Sequence, residues 1–340
     1  MRYTVGIFDN DGLNPYGQEL SNITDFLGFQ TEIFYGQTLS SGKHDPVKSN
    51  SNSTSRKSDF WRFAISAVNR DCSIIAWAST KQKVLLIILA ILFRPNLLYV
   101  SHNPVIGRAP SGFRGIIEKT LIRRSINVVH GPTISQWFWE LYKLRPLVAY
   151  HPPYMSAISA QSEMKIQELG IKEGRSLILI GRSEKNKAFQ MKEFVSRLLE
   201  NCDDLTVVLA QRPRVDLEIK SERLLNWSSD SPLDEDKLYE LLSSCDLIVS
   251  PSSNVTESGT VILANSMSLK CVAFDSPELR KHLLPGALAK PDDFDSFLEK
   301  SLDALNDPNF KSAKWSPDEW FKTSCESWND AIRFAMSKRK

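Results

Sequence analysis

The stretch that decides the fold of this chain is Cys245–Asp275, CDLIVSPSSNVTESGTVILANSMSLKCVAFD. Leu247–Val249 is a short apolar run of the kind found in buried parallel strands. It ends at Pro251–Asn254, a cluster of turn-forming residues. The apolar run Val261–Ala264 then predicts a helix, and Cys271–Phe274 predicts the next strand. Because parallel sheets bind ligands beyond the carboxyl ends of their strands, and helix N-termini attract anions, this loop is a candidate binding site.

The same stretch resembles the donor-binding segment of retaining GT-B glycosyltransferases, those of glycosyltransferase family 4. Their mark is a Pro-Ser after a strand, then a Glu, seven residues, and a second Glu on the following helix. Pro251, Ser252 and Glu257 fit this pattern, but the position of the second Glu is Asn265. The Gly usually found three residues after the first Glu comes one place early, at Gly259. The alternative is a structural loop in some other α/β sheet.

The resemblance implies an α/β protein of the GT-B fold, with two Rossmann-like domains that face each other across a cleft. Residues 1–155 are expected to form an N-terminal acceptor-binding domain, and residues 156–312 a C-terminal domain that binds the nucleotide-sugar donor. The Pro pair at Pro152 and Pro153 is the expected linker. Residues 313–340 are expected to form a C-terminal helix that crosses back to the first domain.

A second motif lies early in the C-terminal half. Strand Leu177–Ile180 is followed by Gly181, Arg182 and, five residues later, Lys187. The resemblance implies that Arg182 and Lys187 hold the donor diphosphate, and an Arg can engage a dianion through two hydrogen bonds. Lys185 competes for the same role, and the alternative is a solvated basic turn.

The N-terminal half contributes weaker signals. His102 follows strand Leu97–Val100 and resembles the histidine that family-4 enzymes place near the transferred sugar. A turn histidine held by the backbone is the alternative, and His130 occupies an equivalent position after another strand. Gly12 lies in the loop after the first strand, where these enzymes have a glycine loop that meets the donor phosphates.

The resemblance thus implies catalytic roles for Glu257 and His102. The residues expected to bind the donor are Gly12, Arg182, Lys187, Asn254, Ser258, Gly259, Thr260 and Asn265. No cofactor and no metal are expected, because in this family the departing diphosphate is stabilised by cationic side chains of the protein and by helix dipoles.

Composition and charge add a second line of inference. The 340 residues contain 42% hydrophobic and 24% charged residues, as in an ordinary globular protein. Residues 1–155 hold 17 Lys and Arg against 10 Asp and Glu, whereas the remainder holds 25 against 30. Lys81–Arg124 contains eight basic residues and a single acid, Glu118. This asymmetry suggests different partners for the two halves.

Phe113–Arg124 is predicted to be a basic amphipathic helix, with Ile116, Ile117, Thr120 and Leu121 on one side. Basic helices of this kind suit the surface of an anionic bilayer. The alternative is an ordinary surface helix whose apolar side packs on the sheet.

The remaining features bound the compartment and the class of partner. The five cysteines show no metal-ligand spacing and fit a reduced, cytoplasmic chain. Met1–Phe8 leads directly into a strand, so we expect no signal peptide. The apolar run Val84–Phe93 is too short to span a bilayer. We therefore expect a cytoplasmic protein with peripheral contact at the inner membrane face, and we find no nucleic-acid-binding module.

The function implied is transfer of a sugar from a nucleotide-sugar donor to a saccharide acceptor, including a lipid-linked one, in bacterial polysaccharide or envelope glycan synthesis. The enzyme would be a retaining, metal-independent hexosyltransferase. Two alternatives stay open: a non-catalytic GT-B subunit that binds or activates a partner transferase, and a nucleotide-sugar epimerase of the same fold.

Overall fold

The computed structural model describes residues 3–10, 15–35, 57–93, 96–102, 112–155, 157, 174–182, 188–212, 214–230, 235–251 and 258–338. The chain forms two compact units. The first comprises Met1–Pro152 and Phe321–Lys340, and the second comprises Pro153–Trp320.

The first unit is built on a six-stranded parallel sheet in the order β2-β1-β3-β4-β5-β6. Its strands are β1 Thr4–Asp9, β2 Gln30–Tyr35, β3 Cys72–Trp77, β4 Leu97–Val100, β5 Ile126–Val129 and β6 Leu147–Val148. The inner strands are almost wholly buried. This explains why their sequences are continuous apolar runs rather than alternating ones.

Helices cover both faces of this sheet. They are α1 Tyr16–Phe26, α2 Lys57–Asn69, α3 Thr80–Phe93, α4 Gly112–Arg124, α5 Pro132–Tyr142 and the greater part of α10 Pro317–Ser337. One face packs against α1 and α10, which contribute Leu20, Ile23 and Trp328. The other face packs against α2 to α5, which contribute Phe63, Leu86, Leu121 and Phe138. The first unit therefore has one helix–sheet–helix core.

The second unit repeats this architecture with a different strand order, β12-β11-β10-β7-β8-β9, again all parallel. Its strands are β7 Arg175–Arg182, β8 Leu205–Arg212, β9 Leu224–Asn226, β10 Leu247–Ser250, β11 Cys271–Phe274 and β12 Leu288–Ala289. Alternate residues of each strand face opposite cores: Ile248 packs on one side, and Leu247 and Val249 on the other.

The helices of the second unit are α6 Ala188–Asn201, α7 Glu235–Ser243, α8 Gly259–Ser266 and α9 Phe294–Asn306. Helices α7 and α8 pack on one face of the sheet together with Trp320. Helices α6 and α9 pack on the other face, where Phe194, Phe274 and Phe297 form an aromatic cluster. Asp293 caps α9 by accepting a hydrogen bond from the Ser296 amide at 2.9 Å.

The expected α/β class is confirmed, and most expected elements are found within a residue or two. Three expectations differ. The sequence of Pro277–His282 predicts a short helix, but the structure has only a single 3₁₀ turn there, Leu279–Lys281, and the short strands β9 and β12 were not predicted. Ile116, predicted on the apolar side of α4, is 64% exposed, because Ile117, Leu121 and Ile122 are the residues that reach the core. In the part of the chain that the structure describes, no helix is long and apolar enough to cross a membrane.

Candidate active site

The strand order of the second unit marks a binding position. From the first strand, β7, the chain builds outward through β8 and β9 on one side and through β10, β11 and β12 on the other. The order therefore reverses between β7 and β10. Open α/β sheets bind ligands at such a switch point, outside the carboxyl ends of the two strands.

The predicted donor motifs lie at this point. Arg182 is the last residue of β7, and its Cα pairs with that of Arg212, the last residue of β8. On the other side, β10 ends at Ser250 and the next helix, α8, begins at Gly259. The topology thus brings the two predicted motifs to one edge of one sheet, although they are separated by more than sixty residues in the sequence.

Ser258 is the N-cap of α8. Its backbone is extended, and its Oγ accepts a hydrogen bond from the Val261 amide at 3.3 Å. Ser250 Oγ lies 3.4 Å from Ser258 Oγ, so the end of the strand and the start of the helix are held together. An N-cap serine satisfies one of the orphan amides of the first turn and leaves the others available to an anion. Ser258 therefore has a defined structural role in addition to the predicted donor contact.

Gly259 and Thr260 form the first turn of α8. A Cβ at Gly259 would meet no atom closer than Tyr154 Oη at 3.9 Å, which is ordinary contact. The structure therefore does not require glycine here for steric reasons, and a small residue at this place leaves the helix N-terminus accessible. Thr260 is partly exposed.

Asn265 lies one turn beyond Val261 on the buried side of α8 and is 2% exposed. Its Nδ2 donates to the backbone oxygen of His282 at 3.1 Å. Its Oδ1 has no hydrogen-bond partner among the described residues. One end of the amide is therefore used by the fold, and the other is a buried acceptor that a ligand hydroxyl could satisfy.

The other predicted site residues of this unit, Lys187, Asn254 and Glu257, lie outside the described residues. The same holds for Gly12 in the first unit. Their predicted roles stay predictions.

His102 belongs to a cluster of imidazole and aromatic side chains at the carboxyl edge of the first unit's sheet. It stacks on Trp77, the last residue of β3, with ring centroids 4.1 Å apart. His130 directly follows β5, and its ring lies 5.1 Å from both His102 and His151. Tyr16, at the start of α1, contacts all three histidine rings. The two histidines considered as alternatives from the sequence are thus neighbours.

Backbone carbonyls decide which ring nitrogen of each histidine carries hydrogen. His102 Nε2 lies 3.1 Å from the oxygen of Ala76, and His130 Nδ1 lies 2.8 Å from that of Ala149. Because a carbonyl oxygen only accepts, these nitrogens donate, and the second nitrogen of each neutral ring bears a lone pair.

The end of β1 contains an Asp-x-Asp sequence, Asp9 and Asp11, which is a common metal motif. Asp9 is fully buried, and its Oδ2 accepts from the Gly17 amide in the first turn of α1 at 3.2 Å. A Cβ at Gly17 would lie 2.5 Å from that oxygen, so this contact requires glycine. Asp11 lies outside the described residues. Within the described ranges, no group of three or more His, Cys, Asp or Glu could hold a metal ion.

Some candidates were missed by sequence reasoning. Tyr16, Trp77 and His151 join the imidazole cluster only through the topology of the sheet: Tyr16 begins α1, Trp77 ends β3, and His151 follows β6. Glu278, four residues after β11, is 1% exposed, and its Oε2 lies 3.0 Å from Lys281 Nζ. Its Oε1 has no hydrogen-bond partner in the described ranges. A carboxylate so deeply buried near a strand end could have been suspected from its position after Cys271–Phe274.

A cavity of about 600 Å³ lies elsewhere, along the flank of β2 and α2. Its charged groups are already paired, since Glu32 forms ion pairs with both Arg62 and Arg70. Its lining begins at the first residue of β2, so the cavity runs along the side of that strand and does not lie at the carboxyl edge of the sheet. We therefore do not assign it to the candidate active site.

No known protein-family profile matches this chain, and no curated protein sequence matches it. Solved structures match over nearly its whole length. Sucrose-phosphate synthase from Thermosynechococcus elongatus has a TM-score of 0.62 at 13% identity, with 98% of this chain and 95% of that chain covered.

HepE from Anabaena, in complex with UDP-glucose, has a TM-score of 0.59 at 13% identity, with 99% of this chain and 98% of that chain covered. A protein assigned as a UDP-N-acetylglucosamine 2-epimerase from Listeria monocytogenes has a TM-score of 0.56 at 13% identity, with 99% of this chain and 94% of that chain covered. Identities this low establish a shared fold, and the fold of this chain is GT-B.

Proposed function

We propose that this protein is a glycosyltransferase that moves a sugar from a nucleotide-sugar donor to a saccharide acceptor. The observation that carries the proposal is the position of the predicted donor motifs in the second unit. Arg182 ends β7, and Ser258 caps the N-terminus of the helix after β10, on the two sides of the switch point. A nucleoside diphosphate needs cations and free amides at one place, and the position of these two residues at one edge of the sheet supports that role.

In the proposed reaction, the bond between C1 of the sugar and the diphosphate oxygen breaks, and the acceptor hydroxyl oxygen forms a bond to C1. As the bond to C1 breaks, negative charge develops on the departing diphosphate, and one of its oxygens takes up the proton that the acceptor hydroxyl loses. Arg182, Lys187 and the N-terminus of α8 would stabilise that charge. Glu257, which directly precedes Ser258 in the sequence, would act beside the transferring sugar. Retention of configuration and independence of metal are part of the proposal and rest on the family resemblance.

The structural relatives support the donor class. HepE was solved with UDP-glucose, and sucrose-phosphate synthase is named for a sugar product. For the acceptor we propose a saccharide carried on a lipid at the inner membrane face, in bacterial polysaccharide or envelope glycan synthesis. The basic helices of the first unit support this choice.

Two other functions are compatible with this fold. A non-catalytic subunit is favoured by Asn265, which replaces the second Glu of the family motif. An epimerase is favoured by the likeness to the Listeria protein. The three functions differ in what becomes of the donor.

The deciding experiment is incubation with a panel of nucleotide sugars and a saccharide acceptor. A transferase releases nucleoside diphosphate and labels the acceptor, an epimerase changes the sugar without labelling the acceptor, and a binding subunit does neither. Arg182→Ala should weaken binding of nucleoside diphosphate. Arg175→Ala is the matched control, because Arg175 begins the same strand at the opposite edge and pairs with Asp204. Normal donor binding by Arg182→Ala would contradict the assignment of this edge.

A further inference from the structure

The outer side of helices α3 and α4 exposes aliphatic and aromatic side chains of a kind that folded proteins usually bury. They are 46–73% exposed: Ile88, Ile91, Leu92, Phe113 and Ile116. We call this set the α3–α4 surface. The inner sides of the same helices reach the core through Leu86 and Leu121. Helix α3 is therefore apolar nearly all round from Val84 onward, yet its Ile88, Ile91 and Leu92 are exposed.

Basic side chains surround these residues. Lys81 on α3 and Arg114, Lys119, Arg123 and Arg124 on α4 are all exposed. The only acid of the two helices, Glu118, is partly buried, forms an ion pair with Lys83 and accepts a hydrogen bond from Tyr99. Its charge is thus neutralised inside the structure, and these two helices present only positive charge to the outside.

The Lys83–Glu118 pair also sets the register of the two helices. Both connect parallel strands of one sheet, so they run in the same direction, and they pack against each other. At equal rise per residue, Ile88 then lies level with Arg123, and Ile116 lies level with Lys81. Apolar and cationic groups are therefore interleaved across the surface rather than separated into two patches.

We propose that the α3–α4 surface is a membrane-docking surface that inserts its apolar side chains into the interface of an anionic bilayer. Isoleucine, leucine and phenylalanine would enter the boundary of the acyl chains, while lysine and arginine reach the anionic headgroups. This inference deepens the proposed function, because a lipid-linked acceptor lies in such a bilayer.

Two other occupants fit less well. A second copy in a two-fold dimer would place the same positive surface against itself, with no exposed acid on either helix to compensate. A nucleic acid would match the charge, but aliphatic side chains gain nothing from phosphates and cannot stack on bases as aromatic ones do. A bilayer uses both the charge and the aliphatic residues.

The test is co-sedimentation with vesicles of phosphatidylglycerol and phosphatidylcholine, compared with phosphatidylcholine alone. The wild type should bind the anionic vesicles at low salt and keep part of that binding at about 1 M salt, where the Debye length is about 3 Å. The triple variant Ile88→Gln, Ile91→Gln, Ile116→Gln should bind about tenfold more weakly and lose the salt-resistant part. The substitutions are on the exposed side, so circular dichroism should show unchanged folding.

Two further variants separate the causes. Arg114→Gln, Lys119→Gln, Arg123→Gln should weaken binding at low salt by about tenfold or more. Phe189→Gln, at an equally exposed residue of the second unit, is the matched control and should bind as the wild type does. The proposal is overturned if the wild type stays in the supernatant or if the triple Ile variant binds the vesicles normally. It is also overturned if the protein binds RNA and not the vesicles. The measurement uses no nucleotide sugar, so its failure would leave the proposed transfer reaction untouched, and the converse also holds.

Discussion

Asn265 offers the sharpest test of the proposed donor site, because the fold uses its Nδ2, whereas its Oδ1 has no hydrogen-bond partner among the described residues. Its Nδ2 donates to the oxygen of His282, but that oxygen also accepts from the Lys314 amide at 2.9 Å. Removing the side chain therefore loses one hydrogen bond without leaving His282 unpaired, a loss of about 0.5–1.5 kcal/mol. The same substitution removes the buried Oδ1, whose lack of a partner among the described residues costs about 1–3 kcal/mol in the free protein.

These two effects oppose each other in the protein without ligand. The midpoints of the two ranges differ by about 1 kcal/mol, so we expect Asn265→Ala to change the free energy of unfolding by about that amount, which is about 2–4 °C in Tm. In the complex, a ribose hydroxyl that donates to Oδ1 would contribute about 1–1.5 kcal/mol to the free energy of binding. Affinity for nucleoside diphosphate should therefore fall by about fivefold to tenfold. The signature is lost affinity at nearly constant stability.

Calorimetric titration with nucleoside diphosphate measures the affinity, and thermal unfolding measures the stability. Asn127→Ala is a matched control in the first unit. The Asn127 Nδ2 likewise donates to a backbone oxygen, that of Ile122, at 2.8 Å, and its Oδ1 also lacks a partner in the described ranges. Asn265→Asp adds a second test, because a carboxylate can only accept and would face the His282 oxygen; we expect clear destabilisation. Wild-type affinity in Asn265→Ala together with a large fall in Tm would refute the argument and make Asn265 purely structural.

Three more predictions follow from the site and the core. Glu257→Ala should lose most donor-dependent transfer while circular dichroism stays unchanged; normal turnover would make the loop before α8 structural. Arg182→Ala and Lys187→Ala should each weaken nucleoside diphosphate binding by roughly tenfold or more, since a hydrogen bond to a charged group contributes about 1.5–3 kcal/mol; calorimetry showing wild-type affinity in both would remove them from the site. Burial raises the pKa of the Cys271 thiol from 9.0 to about 12. Its contribution to stability is therefore complete below pH 9 and is lost as the pH rises towards 12, because the unfolded thiol ionises first. The difference in unfolding free energy between wild type and Cys271→Ala should narrow above pH 9, by about 1.4 kcal/mol per pH unit, and a constant difference from pH 8 to 11 would contradict this.

The sequence predicts much of the second unit's local structure, because its signals are local. Leu247–Val249 is apolar in an uninterrupted run since a parallel strand is buried on both faces, and the structure has a strand at Leu247–Ser250. The apolar run Val261–Ala264 predicts the next helix, and the structure has a helix at Gly259–Ser266. Such features depend on neighbours within a few residues, so they can be read from the chain alone.

Properties that depend on which strands are neighbours could not be read in this way. The position of Arg182 at the same edge of the sheet as the end of β10 follows from strand order, which no local pattern specifies. The contact of His102 with His130 joins the ends of two strands. The hydrogen bond from Asn265 Nδ2 to the backbone oxygen of His282 depends on where a 3₁₀ turn packs. The exposure of Ile116 is a further case, because a helix with apolar residues on several sides can turn only one of them to the core. Tertiary packing therefore decides which polar atoms stay without a partner among the described residues and which apolar side chains of α3 and α4 stay exposed.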